Sequence, residues 1–140
     1  MTQFDPSYNG NQANIGDPRR AVYPLRQTGY FTGNLAAGGV VYIEPGSQTA
    51  FGIPTDWLVV DRGILNAVVS VLDPFGGASL YVYLSPDGVA FNQTHIFYFP
   101  GNNVVTSISG LELFGFTARF RLHSGVAANT VKCYLNLRSV

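Results

Sequence analysis

The amino-acid sequence predicts an all-β domain, a jelly-roll-like antiparallel β-sandwich, preceded by an extended N-terminal arm. Three observations support this fold class. Apolar and polar residues alternate with the two-residue period of a strand, and turns rich in Gly, Pro, Asn and Asp separate the alternating segments. No stretch of about twelve residues keeps the period of an amphipathic helix. At 140 residues the chain has room for one such domain and a tail.

The predicted arm covers residues 1–39, which are rich in Asn, Gly, Gln and Pro and show neither strand nor helix period. Such a segment gains order only against a surface, because fixing each residue costs roughly 1–2 kcal/mol of backbone entropy. The surface is either a partner protein or the chain's own domain. We expect aromatic, apolar and arginine side chains to anchor the arm: Phe4, Tyr8, Ile15, Arg19, Arg20, Tyr23, Arg26 and Tyr30.

The sandwich is expected over residues 40–140. Its predicted strands, in chain order, are 40–44, 57–61, 64–72, 78–85, 94–99, 104–108, 116–123 and 130–138. Alternation is clear in 78–85, where Leu80 and Val82 share one face and Tyr81 and Tyr83 the other. The sequence Ser-Pro-Asp-Gly that follows at 85–88 is typical of a type I turn.

The last two predicted strands show the clearest alternation. In 116–123 the apolar face opposes a polar face that carries Arg119, Arg121 and His123. In 130–138 the single cysteine, Cys133, lies on the apolar face, which predicts a buried thiol and no intrachain disulfide.

The composition predicts a surface that another protein covers. Hydrophobic residues make up 46% of the chain and charged residues only 11%, against a typical charged share of roughly 25%. Seven of the eight basic residues are Arg, which tolerates desolvation better than Lys. A small domain with so few charges cannot hide every apolar group in its own core, so some apolar surface must face outward. Either the protein is barely soluble alone or a partner covers this surface, and we favour the partner.

No motif in the sequence points to catalysis. The chain has two histidines, His95 and His123, and lacks the nucleophile-elbow, zinc-protease and phosphate-loop patterns. The neighbours His123 and Ser124 point to opposite faces of a strand and form no dyad. Four carboxylates next to turn residues are expected to cap backbone amides: Asp56, Asp61, Asp73 and Asp87. We therefore expect no enzyme, no cofactor and no metal site.

The charge balance and the apolar runs bear on partners and location. Eight acidic and eight basic residues cancel, so nucleic acid is not an expected partner. No apolar run is long enough to span a bilayer, and the first residues lack the pattern of a secretory signal. We expect synthesis in a reducing cytoplasm and no membrane association.

The run 80–91, followed by the closing pair of strands at 120–122 and 130–135, resembles small jelly-roll modules of tailed-phage virions. It is similar in style to capsid decoration, or cement, proteins. The resemblance implies a structural virion protein that binds the major capsid protein on the outer capsid surface, stabilises the shell through its arm and sandwich, and assembles as a homotrimer. It implies no catalytic residues.

Two alternatives remain open from the residues themselves. Outward aromatic side chains stack on sugars as well as on proteins, so Tyr81, Tyr83 and Trp57 would suit a carbohydrate-binding module of a phage appendage. A small hydrolase built on a jelly roll is the third hypothesis, and it lacks an evident base.

Overall fold

A computed structural model describes residues 25–46, 54–72, 77–125 and 129–140. These residues contain no helix, and every strand pairing among them is antiparallel. The strands are β1 (Arg26–Leu35), β2 (Val40–Ile43), β3 (Trp57–Val71), β4 (Gly77–Ser85), β5 (Asn92–Pro100), β6 (Val104–Ser124) and β7 (Asn129–Ser139). The all-β antiparallel sandwich predicted from the sequence is confirmed.

The long strand β6 connects the two layers of the sandwich. The strands follow the order β1-β7-β3-β6-β4-β5. β2 pairs with residues 120–123 of β6, which follow the part of β6 that pairs with β3. The first part of β6 pairs with β3, while its last part lies between β2 and β4. One layer therefore consists of β1, β7, β3 and the start of β6, and the other of β2, the end of β6, β4 and β5.

A bulge in β3 marks the place where the layers diverge. The pairing of β3 with β6 shifts register between Leu58 and Asp61, and Val60 and Asp61 have positive φ angles of 54° and 77°. Such bulges bend a strand and increase its twist. Opposite the bulge, Gly115 approaches β4 so closely that an added Cβ would lie 3.1 Å from the carbonyl oxygen of Ser85.

One apolar core fills the space between the layers, and Trp57 lies inside it. The Trp57 side chain is 0% exposed, donates its indole N–H to the carbonyl oxygen of Ile43 at 2.7 Å, and meets Phe120 edge to face at 5.2 Å. Gly29 of β1 packs against the same indole, where an added Cβ would approach Trp57 to 2.8 Å. The inward residues of β4 and β7 predicted from alternation are buried, as is Cys133, whose thiol pKa is raised to about 12 by burial.

The predicted turn after β4 is fixed by its own side chains. The Ser85 hydroxyl accepts a hydrogen bond from the Gly88 amide at 2.8 Å. The Asp87 carboxylate accepts amide hydrogen bonds from Val89 at 2.8 Å and Ala90 at 3.1 Å, and these bonds lower the pKa of Asp87. Asp87 thus caps backbone amides, as the sequence predicted.

Three sequence-based boundaries differ from the structure. The predicted boundary between arm and sandwich at residue 39 is too late, because β1 pairs with β7 from Arg26 to Leu35. The predicted strands 57–61 and 64–72 are one strand, since Arg62 and Gly63, which lie between them, pair in regular register with Phe114 and Leu113 of β6. The segments 104–108 and 116–123 likewise belong to the single strand β6.

Two of the predicted arm anchors are among the described residues, and the other six are not. Arg26 and Tyr30 lie on β1 and are part of the sheet, so they are not arm residues. The other six anchors and Asp73 lie outside the described residues: Phe4, Tyr8, Ile15, Arg19, Arg20 and Tyr23. The described part of the chain has no helix that is long and apolar enough to cross a membrane.

Candidate functional site

The outer surface of the β2-β6-β4 layer carries a cluster of tyrosine, arginine and histidine side chains, here named the tyrosine–arginine face. Strand pairing assembles it, because Arg121 of β6 lies between Tyr42 of β2 and Tyr81 of β4. The inward neighbours on each strand belong to the core, which forces these side chains outward. The face consists of Tyr42, Tyr81, Tyr83, Arg119, Arg121 and His123.

Arg121 occupies the centre of the face and lies against two tyrosine rings. Its guanidinium carbon is 5.2 Å from the ring centroid of Tyr81 and 5.1 Å from that of Tyr83, within the range of cation–π attraction. The two tyrosine rings are stacked at 6.5 Å. The His123 ring stacks on Tyr81 at 4.4 Å. Two aromatic contacts from β4 therefore hold Arg121 in place.

Arg119 and Arg121 differ in their ionic partners. Arg119 donates to a carboxylate oxygen of Asp56 at 2.6 Å, and its guanidinium lies 4.0 Å from the Phe91 ring centroid. Arg121 forms no ion pair with any described residue, and its Nε atom is buried without a hydrogen-bond partner there. Asp56 thus neutralises the charge of Arg119, whereas no described residue neutralises that of Arg121.

Burial sets the protonation states around Arg121. Burial raises the pKa of Tyr83, although the charge of Arg121 opposes this effect, so the Tyr83 hydroxyl stays protonated at neutral pH. Burial, and next the charge of Arg121, lower the pKa of His123. The His123 Nε2 atom is also buried without a hydrogen-bond partner in the described part of the chain. At neutral pH the face therefore offers one cation without an ionic partner among the described residues, phenolic hydroxyls and a neutral imidazole.

An apolar edge strand borders the face. β5 pairs only with β4 among the described strands, and its outward residues Ile96 and Tyr98 are 52% and 77% exposed. The stretch 88–111, which includes all of β5, contains no Asp, Glu, Lys or Arg. The tyrosine–arginine face therefore continues into an uncharged apolar rim.

A second surface lies on the opposite layer. A cavity of about 400 Å³ there is lined by residues of β1, β7 and β3, including Thr28, Asn66 and Asn136. The rings of Tyr30 and Tyr134 also line it and are stacked at 6.0 Å. Tyr30, predicted as an arm anchor, belongs to this surface and is separate from the tyrosine–arginine face.

Two of the predicted site residues, Tyr81 and Tyr83, lie together on one face, whereas a third, Trp57, lies elsewhere. Tyr81 and Tyr83 point outward as predicted and are half-buried against Arg121 and His123. Trp57 lies in the core, so its proposed role as a sugar platform is wrong. Sequence reasoning missed Tyr42, although the outward position between buried Val41 and Ile43 was readable from alternation.

The described residues contain no group of three or more His, Cys, Asp or Glu side chains that could hold a metal ion. His123 belongs to the outer face, while Ser124 is buried on the inner side of the same strand. The two side chains are not placed to act as nucleophile and base.

Comparisons with known proteins give no family. No family model matches the chain, and no curated protein matches it. The chain is similar to a solved structure of Bacillus endospore appendages, described as disulfide-linked pili, with 15% identity over 83% of this chain and 88% of that chain and a TM-score of 0.48. A structure of infectious bursal disease virus, Gx strain, is similar with 7% identity over 85% of this chain and 30% of that chain and a TM-score of 0.43. At these TM-scores neither likeness carries an argument about this chain.

Proposed function

We propose that this chain is a structural virion subunit, a capsid decoration protein that binds the major capsid protein through its tyrosine–arginine face and the adjoining β5. One observation supports this function above all others. Arg121 is a cation without an ionic partner among the described residues, and it lies against the rings of Tyr81 and Tyr83 next to an exposed apolar strand.

The composition of this surface favours a protein partner. Tyr and Arg are enriched at interface centres and at the residues that contribute most to binding. The neighbouring Ile96 and Tyr98 supply apolar area that a partner could bury. Assembly as a homotrimer on the capsid surface belongs to the same proposal and follows from the resemblance to decoration proteins alone.

Sugar binding by Tyr81 and Tyr83 has weaker support. A sugar stacks on a free ring face, but the Tyr81 ring already stacks on His123 and both tyrosine rings contact Arg121. A carbohydrate-binding module therefore remains the alternative, and binding on a glycan array would favour it over capsid binding.

Co-sedimentation with shells assembled from the major capsid protein tests the proposal. The full chain is expected to sediment with shells, and Tyr98→Ser is expected to weaken binding by roughly 2 kcal/mol, or about thirtyfold. Tyr134→Ser is the matched control, because Tyr134 is a half-exposed tyrosine on the opposite layer, 51% exposed. Absence of sedimentation by the unmodified chain, or equal loss in both variants, would contradict the proposal.

A further inference from the structure

We infer that Arg121 is a carboxylate-binding site, which receives an Asp or Glu side chain of the protein partner among the tyrosines of the face. The inference rests on the proposed function for the identity of the partner. It names the chemistry at the centre of that interface.

The contrast between the two arginines of β6 is the first step. They occupy equivalent outward positions two residues apart. The Nε atom of Arg119 donates to a carboxylate oxygen of Asp56 at 2.6 Å. An arginine at an outward position of β6 therefore pairs with a carboxylate that lies within reach. Arg121 has tyrosine rings on its sides and no acidic group among the described residues at this distance.

The energetics of a half-buried cation are the second step. A charge that loses water without gaining an opposite charge costs free energy, and a buried donor without an acceptor adds to that cost. Arg121 meets both conditions, since its Nε atom is buried and unpaired in the described domain. Cation–π attraction offsets part of the cost but supplies no hydrogen-bond acceptor. An anion at this position would supply both the charge and the acceptors.

The surrounding groups select the kind of anion. Three tyrosine hydroxyls belong to the face: Tyr83 stays protonated, Tyr81 lies beside it, and Tyr42 is close enough to influence it electrostatically. Phenolic O–H and guanidinium N–H groups both donate hydrogen bonds to oxygen. A planar carboxylate matches the two-pronged geometry of the guanidinium, so we choose a carboxylate over a phosphate.

Titration of the full chain with sodium acetate tests the site directly. Ionic strength is held constant with sodium chloride, and the arginine Nε–Hε and histidine signals are followed by NMR. We expect a saturable shift of the Arg121 signal and a rise in the pKa of His123, because the acetate charge offsets that of Arg121. Arg121→Gln has no such arginine signal, so its readout is the pKa of His123, which acetate should no longer raise.

Two further variants make the titration specific. Arg121→Lys keeps the charge but loses the planar fork, and should bind acetate at least fivefold more weakly than the unmodified chain. Arg138→Gln removes a half-buried arginine on the opposite layer and should leave acetate binding unchanged. If Arg121→Gln does not fold, the lysine variant decides the outcome. No saturation, an undiminished acetate-induced rise of the His123 pKa in the Arg121 variants, or saturation by phosphate but not acetate would overturn the inference.

Co-sedimentation with shells separates this inference from the proposed function. Arg121→Gln should lose shell binding at least tenfold while Arg138→Gln retains it. If Arg121→Gln binds shells normally but Tyr98→Ser does not, the partner's carboxylate is excluded and the virion role stands. If the unmodified chain does not bind shells, the proposed function fails and the inferred partner fails with it.

Discussion

His123 shows how the fold imposes a cost on the charged form of one side chain. The imidazole lies half-buried against the Tyr81 ring, and burial together with the charge of Arg121 lowers its pKa below the ordinary value of 6.5. The unfolded chain has no such environment and takes up the proton more readily. The folded state is therefore penalised wherever the unfolded histidine is protonated and the folded one is not.

This linkage predicts a pH dependence with a definite sign. Above pH about 6.5 the histidine is neutral in both states and has no effect on stability. As the pH falls from about 6.5 through the lower folded pKa, the free energy of unfolding should decrease. His123→Gln should remove this part of the slope, and Arg121→Gln should reduce it, because Arg121 is the second cause of the shift.

Urea unfolding between pH 5 and pH 8 measures the effect. His95→Gln is the control, since it also removes one histidine but leaves His123 in place. A slope that is unchanged in His123→Gln would show that its imidazole is not the group responsible.

Single residues also show where sequence reasoning was sufficient. Cys133 was correctly placed in the core, because β7 alternates without interruption. Trp57 was misplaced as a sugar platform, because the bulge at Val60 and Asp61 interrupts the alternation of β3 and hides which face is inward. The indole hydrogen bond to Ile43 depends on a contact 14 residues away, and no local pattern contains it.

Among the elements, β1 was the strand that the sequence did not predict. Gly29 and Gly33 have low strand propensity, and the segment reads as part of the arm. It becomes a strand because β7 pairs with it along its whole length, which is a tertiary effect. At Gly29 the glycine is required by the close approach of the Glu44 carbonyl oxygen and of the Trp57 ring. The long strands β3 and β6 were divided for the opposite reason, since Gly63 and Gly110 resemble turn positions in the sequence but lie inside strands.

The edge strand β5 lacks the charged residues that usually keep such edges from pairing with other chains. Neither it nor the following turn contains a formal charge, and Ile96 and Tyr98 are exposed. Edges of this kind tend to add further strands. We therefore expect the purified chain to self-associate as its concentration rises, with β5 in the contact.

Ile96→Lys is expected to reduce this self-association at least fivefold without loss of folding stability, because position 96 faces solvent and a lysine there repels a second copy. Val89→Lys is the matched control: Val89 is 84% exposed but lies in the connection before β5. Sedimentation velocity over a range of concentrations measures the effect. An unmodified chain that stays monomeric throughout, or equal effects of both lysines, would contradict the role of β5.

At the scale of the whole molecule, the sequence predicted the fold class but not the neighbours of each strand. Alternation is a local property, so it identified the outward sets of β4 and β6, including Tyr81 and Arg121. Which strands lie on either side of β6 depends on how the chain folds over at the bulge. For this reason the residues of the tyrosine–arginine face other than Tyr42 were identified separately, and their meeting around Arg121 required the structure.

The position of β1 in the sheet also changes where the chain can be shortened. Every described strand lies after residue 24, and the first backbone bond to the sheet is accepted by Leu25 from the Ser139 amide at 2.8 Å. Removal of residues 1–24 should therefore leave the described sheet folded. Removal of residues 1–35 takes away β1, withdraws Phe31 and Leu35 from the core, and leaves the outer edge of β7 unpaired.

Loss of two buried apolar side chains together with an entire ladder of hydrogen bonds should cost at least about 4 kcal/mol, on the order of the total stability of a domain of this size. We expect the longer truncation to be unfolded or aggregated, and the shorter one to unfold cooperatively like the full chain. Circular dichroism and urea unfolding of both variants test this directly. With a folded 25–140 domain in hand, shell co-sedimentation then separates the contribution of the first 24 residues from that of the tyrosine–arginine face. A shorter truncation that fails to fold would show that residues 1–24 are part of the domain and not an arm.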